Sequence, residues 1–214
     1  MLITILGKNY EIETTTELNL CNNNLSSLPA EIGELVNLQR LDLSNNQLSS
    51  LPAEIGKLVN LQYLYLNINQ LSILPAEIGE LVNLQILDLY HNQLSSLPTE
   101  IGQLVNLQTL SIINNQLSNL PEEIGKLVNL KILHLYNNKL KSLPVEILKV
   151  KEKISINESG YEINNLSLDT EILIFGELST ELTNLPIFLK EIWLKKGIDE
   201  NLIKVPFGCE IKYY

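Results

Sequence analysis

One pattern of apolar and polar positions recurs along most of the chain. In Leu41-Asp42-Leu43, two leucines flank a variable residue, which is the alternation of a half-buried strand, and a strand of this length cannot fold alone. We therefore predict that each unit is one rung of a solenoid, whose strands stack about 4.8 Å apart in a parallel sheet. The pattern starts at six leucines, each 23 residues after the one before: Leu18, Leu41, Leu64, Leu87, Leu110 and Leu133.

The complete unit reads LxLxxNxLxxLPxEIGxLxNLxx, and it spans about Leu18 to Ser155. This motif resembles the 23-residue class of leucine-rich repeat. The resemblance implies an α/β fold, namely a horseshoe-shaped leucine-rich repeat solenoid. Such a solenoid has a continuous parallel β-sheet on its concave face and short helical or 3-10 turns on its convex face. Similar arrays occur in plant Ras-group-related proteins, animal Ras-pathway scaffolds and bacterial proteins, and residues 185–214 more loosely resemble repeats of giant-virus proteins.

Two polar features of the unit predict structural roles. Segment Pro52 to Gly56 and its equivalents place proline where a short helical turn begins and glycine where it ends. An identical glutamate in each turn predicts a solvated acidic stripe: Glu31, Glu54, Glu77, Glu100 and Glu123. An asparagine also stands two residues before an inward leucine, where a buried amide can donate to backbone carbonyls of adjacent rungs. These asparagines are Asn23, Asn46, Asn69, Asn92, Asn115 and Asn138.

The two ends of the chain depart from the regular unit. Residues 1–17 alternate apolar and polar positions around Gly7-Lys8-Asn9, which predicts a β-hairpin that caps the first rung. Residues 18–155 contain the six regular repeats. We interpret residues 156–214 as degenerate repeats with a C-terminal cap, so that the sheet continues at least to Ile192. The shorter strand pattern of this segment recurs at Glu171-Ile172-Leu173-Ile174, Glu191-Ile192-Trp193-Leu194 and Glu210-Ile211-Lys212-Tyr213.

Charge and hydrophobicity restrict the partners. The 214 residues include 25 acidic and 15 basic residues, and the net charge of −10 repels nucleic-acid backbones and anionic membranes. The N-terminus lacks the features of a signal peptide, and no apolar run approaches the ~20 residues of a membrane span. We expect a cytoplasmic, monomeric chain that binds neither nucleic acid nor membrane.

No constellation in the sequence predicts catalysis. The repeated glycines end helical turns and do not form a phosphate-binding loop. The two histidines, His91 and His134, lack the spacing of a zinc site. Cys21 is three rungs, or about 14 Å, from His91, which is too far for a nucleophile and its base. We expect no enzyme activity, no cofactor and no metal.

Outward strand positions differ from rung to rung, although the core positions repeat. Tyrosines, isoleucines and histidines concentrate there between the third and sixth rungs, and tyrosine is enriched at interaction hot spots. The alternative is that these aromatic and β-branched neighbours only stabilise the sheet. We predict a partner-binding surface on the concave face that consists of Arg40, Asp42, Tyr63, Tyr65, Asn67, Ile86, Asp88, Tyr90, His91, Ser111, Ile113, His134 and Tyr136.

The resemblance implies a protein-interaction scaffold that binds a protein or peptide on its concave face. Two alternatives stay open. In one, the repeats recruit a substrate for an enzyme activity that is supplied elsewhere. In the other, the chain is a structural protein that self-associates through sheet edges. The first alternative needs a large catalytic domain, whereas the residues after Ser155 look like further rungs.

Overall fold

The computed structural model describes residues 2–5, 7–135, 137–140, 144, 154–156, 172–175, 191–194, 199–205 and 207–213 of the chain. At the N-terminus, strands β1 (Leu2–Ile5) and β2 (Lys8–Glu11) form an antiparallel hairpin, and Gly7 in its turn has a φ of +74°. Ile3 and Ile5 are buried, and β1 contacts the helical turn of the first rung. The hairpin therefore covers the apolar end of the stack. The boundaries between the cap (1–17), the regular repeats (18–155) and the degenerate repeats (156–214) stay a prediction.

A second sheet follows the hairpin. Within the described residues it has ten strands, which follow one another in sequence order and pair in parallel. The prediction of one continuous parallel sheet that reaches the strand of Ile192 is confirmed. The strands are β3 (Glu17–Asn19), β4 (Arg40–Asp42), β5 (Tyr63–Tyr65), β6 (Ile86–Asp88), β7 (Thr109–Ser111), β8 (Ile132–His134), β9 (Ile154–Ile156), β10 (Ile172–Phe175), β11 (Glu191–Leu194) and β12 (Glu210–Tyr213).

Short 3-10 helices connect the strands of the regular rungs, as predicted for the convex side. Each of them follows a proline in an extended conformation and ends before a leucine whose N–H bonds back to the same turn. None of the helices in the described part of the chain is long and apolar enough to cross a membrane. The described 3-10 helices are Ala30–Glu34, Ala53–Lys57, Ala76–Glu80, Thr99–Gln103, Glu122–Lys126 and Glu200–Leu202.

The glycine in each turn allows neighbouring rungs to approach closely. A Cβ atom on Gly79 would lie 2.6 Å from the carbonyl oxygen of Glu100 and 2.8 Å from its Cβ, both in the next rung. Gly33, Gly56 and Gly102 meet the following rung in the same way. Because the contacted oxygen belongs to the backbone, a larger residue would push the rungs apart.

The inward leucines and isoleucines of the rungs form one continuous core, and a column of buried asparagines links the rungs beside it. Asn92 accepts a hydrogen bond from the backbone N–H of Leu71 (3.0 Å) and donates to the carbonyls of Leu66 (2.9 Å) and Leu89 (3.1 Å). The predicted buried amides are therefore confirmed at five positions. Equivalent bonds are made by Asn46, Asn69, Asn115 and Asn138.

The buried-amide prediction is wrong for Asn23. This residue is exposed, and its Nδ2 donates to the carbonyl of Cys21 in its own loop at 2.9 Å. The reason is its place in the stack. The other asparagines bond backward to the preceding rung, and Asn23 belongs to the first rung, which has only the hairpin before it.

Candidate partner-binding face

The strand register brings the predicted site residues together on adjacent strands. The residues before the central leucines align in a first row across β3 to β8: Glu17, Arg40, Tyr63, Ile86, Thr109 and Ile132. The residues after these leucines align in a second row: Asn19, Asp42, Tyr65, Asp88, Ser111 and His134. The remaining described candidates follow the strands, at an edge that we call the strand exit: Asn67, Tyr90, His91 and Ile113. Tyr136 lies outside the described residues.

Arg40 and Tyr65 contact each other diagonally across the two rows. The guanidinium carbon of Arg40 lies 4.5 Å from the centroid of the Tyr65 ring, and Nη1 donates to the Tyr65 hydroxyl at 3.3 Å. Both side chains are half-buried. This cation–π contact holds the positive charge of Arg40 over an aromatic face, although Glu17 and Tyr63 are the register partners of Arg40.

Two carboxylates flank Tyr65 in the second row. Asp42 and Asp88 each accept a hydrogen bond at Oδ1 from the backbone N–H two residues later, in Ser44 and Tyr90, both at 3.0 Å. These local bonds fix the direction of the carboxylates. Across β3 to β8 the two rows contain three acidic side chains and one guanidinium, so this part of the concave face has a negative charge.

Asp88, Ser111 and His134 are neighbours in the second row. Ser111 is only 9% exposed, whereas Asp88 and His134 are half-buried. Burial lowers the pKa of His134 from its usual 6.5, and the Asp88 carboxylate acts in the opposite direction. The lowered pKa favours the neutral imidazole at pH 7. The serine stands between the imidazole and the carboxylate, whereas a Ser-His-Asp relay needs the imidazole in the middle.

The strand exit has a left-handed backbone in every regular rung. The φ angles lie between 53° and 60° at Asn22, Asn45, Ile68, His91, Asn114 and Asn137. Asparagine tolerates this conformation, but the β-branched side chain of Ile68 is strained in it. Amide–amide hydrogen bonds join Asn45 to Asn22 and Asn137 to Asn114. In the two rungs between these pairs, Ile68 and His91 stand at this position instead of asparagine.

Ile68, Tyr90 and His91 form a patch at this edge, which we call the exit patch. Ile68 is 40% exposed, and the rings of Tyr90 and His91 lie 5.7 Å apart at an angle of 45°. Ile68 is not among the residues predicted from the sequence, although its break in an asparagine column was a signal that could have found it. In contrast, Ile113 was predicted and is only 7% exposed, so it contributes mainly to packing.

A polar groove of about 430 Å³ lies at the opposite edge, where the strands begin. Three of its asparagines donate from Nδ2 to valine carbonyls of the preceding rung, at 2.8–2.9 Å, so they connect the rungs. This groove is not among the surfaces predicted from the sequence, although its asparagines and glutamines recur every 23 residues. It is lined by Gln62, Asn83, Gln85, Asn106, Gln108, Asn129 and Lys131.

Known protein families and structures agree with this architecture. Models of a leucine-rich repeat region, a leucine rich repeat and a pair of leucine rich repeats match residues 53–116, 13–71 and 105–149. No curated protein matches the chain at a significant level. The chain is 35% identical to the ectodomain of the receptor kinase SOBIR1 from Arabidopsis thaliana, over 59% of this chain and 71% of that one, with a TM-score of 0.52.

One further structure extends the similarity to most of the chain. The plant peptide hormone receptor RGFR1, in complex with RGF2, is 29% identical over 93% of this chain, with a TM-score of 0.69. A leucine-rich repeat protein of Leptospira interrogans is 33% identical over 90% of this chain, with a TM-score of 0.42. The chain spans 35% of the former and 60% of the latter. The chain belongs to the leucine-rich repeat family.

Proposed function

We propose that this chain binds a protein or peptide partner on its concave face and performs no chemistry of its own. One observation carries the proposal. The core positions have the same residues in each rung, whereas the half-buried side chains of the two rows differ from rung to rung. Examples are Tyr63, Tyr65 and His134. Large aromatic side chains with a polar atom are enriched at the energetic centres of interfaces.

The similar structures support a role in recognition. The receptor RGFR1 is named a peptide hormone receptor, and its structure contains RGF2. A sheet built from short, regularly stacked strands is also rigid before binding, so little conformational entropy is lost when a partner docks. The fold alone does not define a partner, because one fold hosts many functions.

The proposal includes a monomeric, cytoplasmic chain without a nucleic-acid partner. The net charge of −10 and the excess of carboxylates in the two rows oppose contact with phosphate backbones. A constant molar mass in light scattering over a wide concentration range would support the monomer. A mass that doubles with concentration would favour the self-associating alternative.

The test compares a concave pair of substitutions with a convex pair. We expect Tyr65→Ala with Tyr90→Ala to keep the circular-dichroism spectrum while losing partner capture from an extract of the native cell. Truncation of a hot-spot aromatic typically costs about 2 kcal/mol of binding, or roughly 30-fold in affinity. Quantitative mass spectrometry of the captured proteins measures the loss.

The control is Glu77→Ala with Glu100→Ala, which changes two glutamates in the 3-10 helices of the convex side. This variant should capture the same proteins as the unmodified chain. The concave-face proposal is rejected when the convex pair loses a captured protein that the tyrosine pair retains.

A further inference from the structure

One hydroxyl on the concave face is almost completely buried without a partner. Ser111 is 9% exposed, and in the described part of the chain no group forms a hydrogen bond with its Oγ. It stands between two larger side chains, Asp88 and His134, so its position is a notch in the second row. Buried hydroxyls normally have hydrogen-bond partners. The Oγ atom of Ser111 can therefore accept a hydrogen bond from a ligand on this face of the sheet.

The neighbours of the notch can accept hydrogen bonds as well. Asp88 uses Oδ1 for the N–H of Tyr90, and no described donor contacts its Oδ2. The lowered pKa of His134 favours the neutral imidazole at pH 7, in which one ring nitrogen is an acceptor. Adjacent strands are about 4.8 Å apart. Three acceptors, one of them charged, thus stand on three consecutive strands.

A guanidinium group matches such a row better than other cations do. It carries five N–H donors in one plane, whereas an ammonium is a compact point charge. It also stacks on aromatic rings, and this face already contains one example, in which Arg40 lies 4.5 Å above the Tyr65 ring. Arg40 is on β4 and Asp88 is on β6, two strands away, so Arg40 does not occupy the notch.

We propose that Asp88, Ser111 and His134 form a subsite that holds an arginine side chain of the partner. The guanidinium donates to Asp88 Oδ2, to Ser111 Oγ and to the free ring nitrogen of His134. This inference rests on the proposed concave-face function and adds the chemistry of the partner: a protein or peptide segment with an exposed arginine. The net negative charge of the two rows is complementary to such a segment.

The probe is N-acetyl-arginine amide, which is added to the 214-residue chain and followed by NMR. We expect saturable shifts of the Ser111 amide and His134 ring signals. N-acetyl-citrulline amide has nearly the same shape without the charge and should bind at least ten-fold more weakly. N-acetyl-lysine amide should also bind more weakly, because it lacks the planar donors.

Two aspartates of the second row provide a matched pair of variants. Asp88→Asn keeps an oxygen for the Tyr90 N–H, so the fold is retained, but it should weaken binding of the arginine probe at least ten-fold. Asp42→Asn changes the same type of local turn two strands away and should leave the affinity unchanged.

Acidification gives a second readout. Protonation of His134 removes an acceptor and places a positive charge beside the guanidinium, so probe binding should weaken as the pH falls below neutrality. Asp88 is the charged group that acts on His134, and the described residues of the flanking strands, Thr109–Ser111 and Ile154–Ile156, carry no titratable side chain. His134→Gln should remove this pH dependence.

Equal binding of the arginine and citrulline probes would overturn the arginine subsite, as would equal losses in Asp88→Asn and Asp42→Asn. The two proposals fail separately. If partner capture depends on Tyr65 and Tyr90 but is unaffected by Asp88→Asn, the concave-face function stands and the arginine subsite is wrong. If the arginine probe binds as expected but the convex pair loses a captured protein that the tyrosine pair retains, the subsite binds an arginine side chain and the proposed partner surface is wrong.

Discussion

Two neighbouring asparagine columns follow different rules. The inner column, from Asn46 to Asn138, is buried and has the same residue in every rung. The outer column, one position earlier, has the same left-handed backbone throughout, yet Ile68 and His91 replace asparagine in two rungs. At a buried position, the side chain must both accept and donate hydrogen bonds with the backbone, and in these five rungs it is always asparagine. A position defined only by backbone conformation permits others at an energetic cost.

The two residues that replace asparagine in the outer column lie next to each other, which suggests a shared role in binding. Ile68 and His91 stand in adjacent rungs and, with Tyr90, form the exit patch beside the second row. Strained residues in folded proteins often occur at binding sites. Through Ile68, the exit patch adds one residue to the candidate surface that the sequence predicts.

The largest expected effect is at the inner column. Asn92→Ala should lower the free energy of unfolding by roughly 1–3 kcal/mol, because it leaves three backbone groups without their partner. Chemical denaturation measures the change. Gln93→Ala, at the next and exposed position, is the control and should change stability by less than about 0.5 kcal/mol. Equal midpoints for the two variants would contradict the stabilising role assigned to the buried amide of Asn92.

A smaller effect of opposite sign is expected at the outer column. Ile68→Asn should raise the free energy of unfolding by about 1 kcal/mol, since asparagine adopts a positive φ without the strain of a β-branched side chain. Thermal denaturation detects this gain, and Ile68→Val, which keeps the β-branch, should not show it. A loss of stability in Ile68→Asn would mean that packing of the isoleucine outweighs the backbone strain.

The smallest effect concerns His134, a surface position that is half-buried. The folded state lowers its pKa, so below about 6.5 the unfolded chain binds a proton that the folded chain resists. Stability should therefore fall with decreasing pH more steeply in the wild type than in His134→Gln. Denaturation midpoints of both proteins between neutral and mildly acidic pH give the difference. Parallel pH profiles would show that His134 titrates alike in both states.

The sequence predicts the repeating part of this structure almost completely. A strict 23-residue period fixes the register, so it also predicts which outward residues align in each row. The wrong prediction for Asn23 shows that the 23-residue period alone does not determine whether a residue is buried. The residue matches the motif, but its role depends on a preceding rung, and neighbours across the stack are not part of a local pattern.

The details of the candidate site could not be predicted in this way. The burial of Ser111 depends on the sizes of side chains on three strands, and Arg40 contacts Tyr65 diagonally and not along its own row. The left-handed backbone of Ile68 is contrary to the preference of isoleucine and is imposed by the rungs on either side. Such features follow from tertiary packing, which residue spacing does not specify.

The direction of the asparagine bonds has a consequence for synthesis on the ribosome. Asn92 satisfies the N–H of Leu71, a residue 21 positions earlier, and Asn115 does the same for Leu94. A rung that has just left the exit tunnel therefore lacks the amide that completes its loop until the following rung has emerged. Co-translational folding of this chain should consequently advance one repeat behind elongation, and each newly made asparagine closes the rung before it.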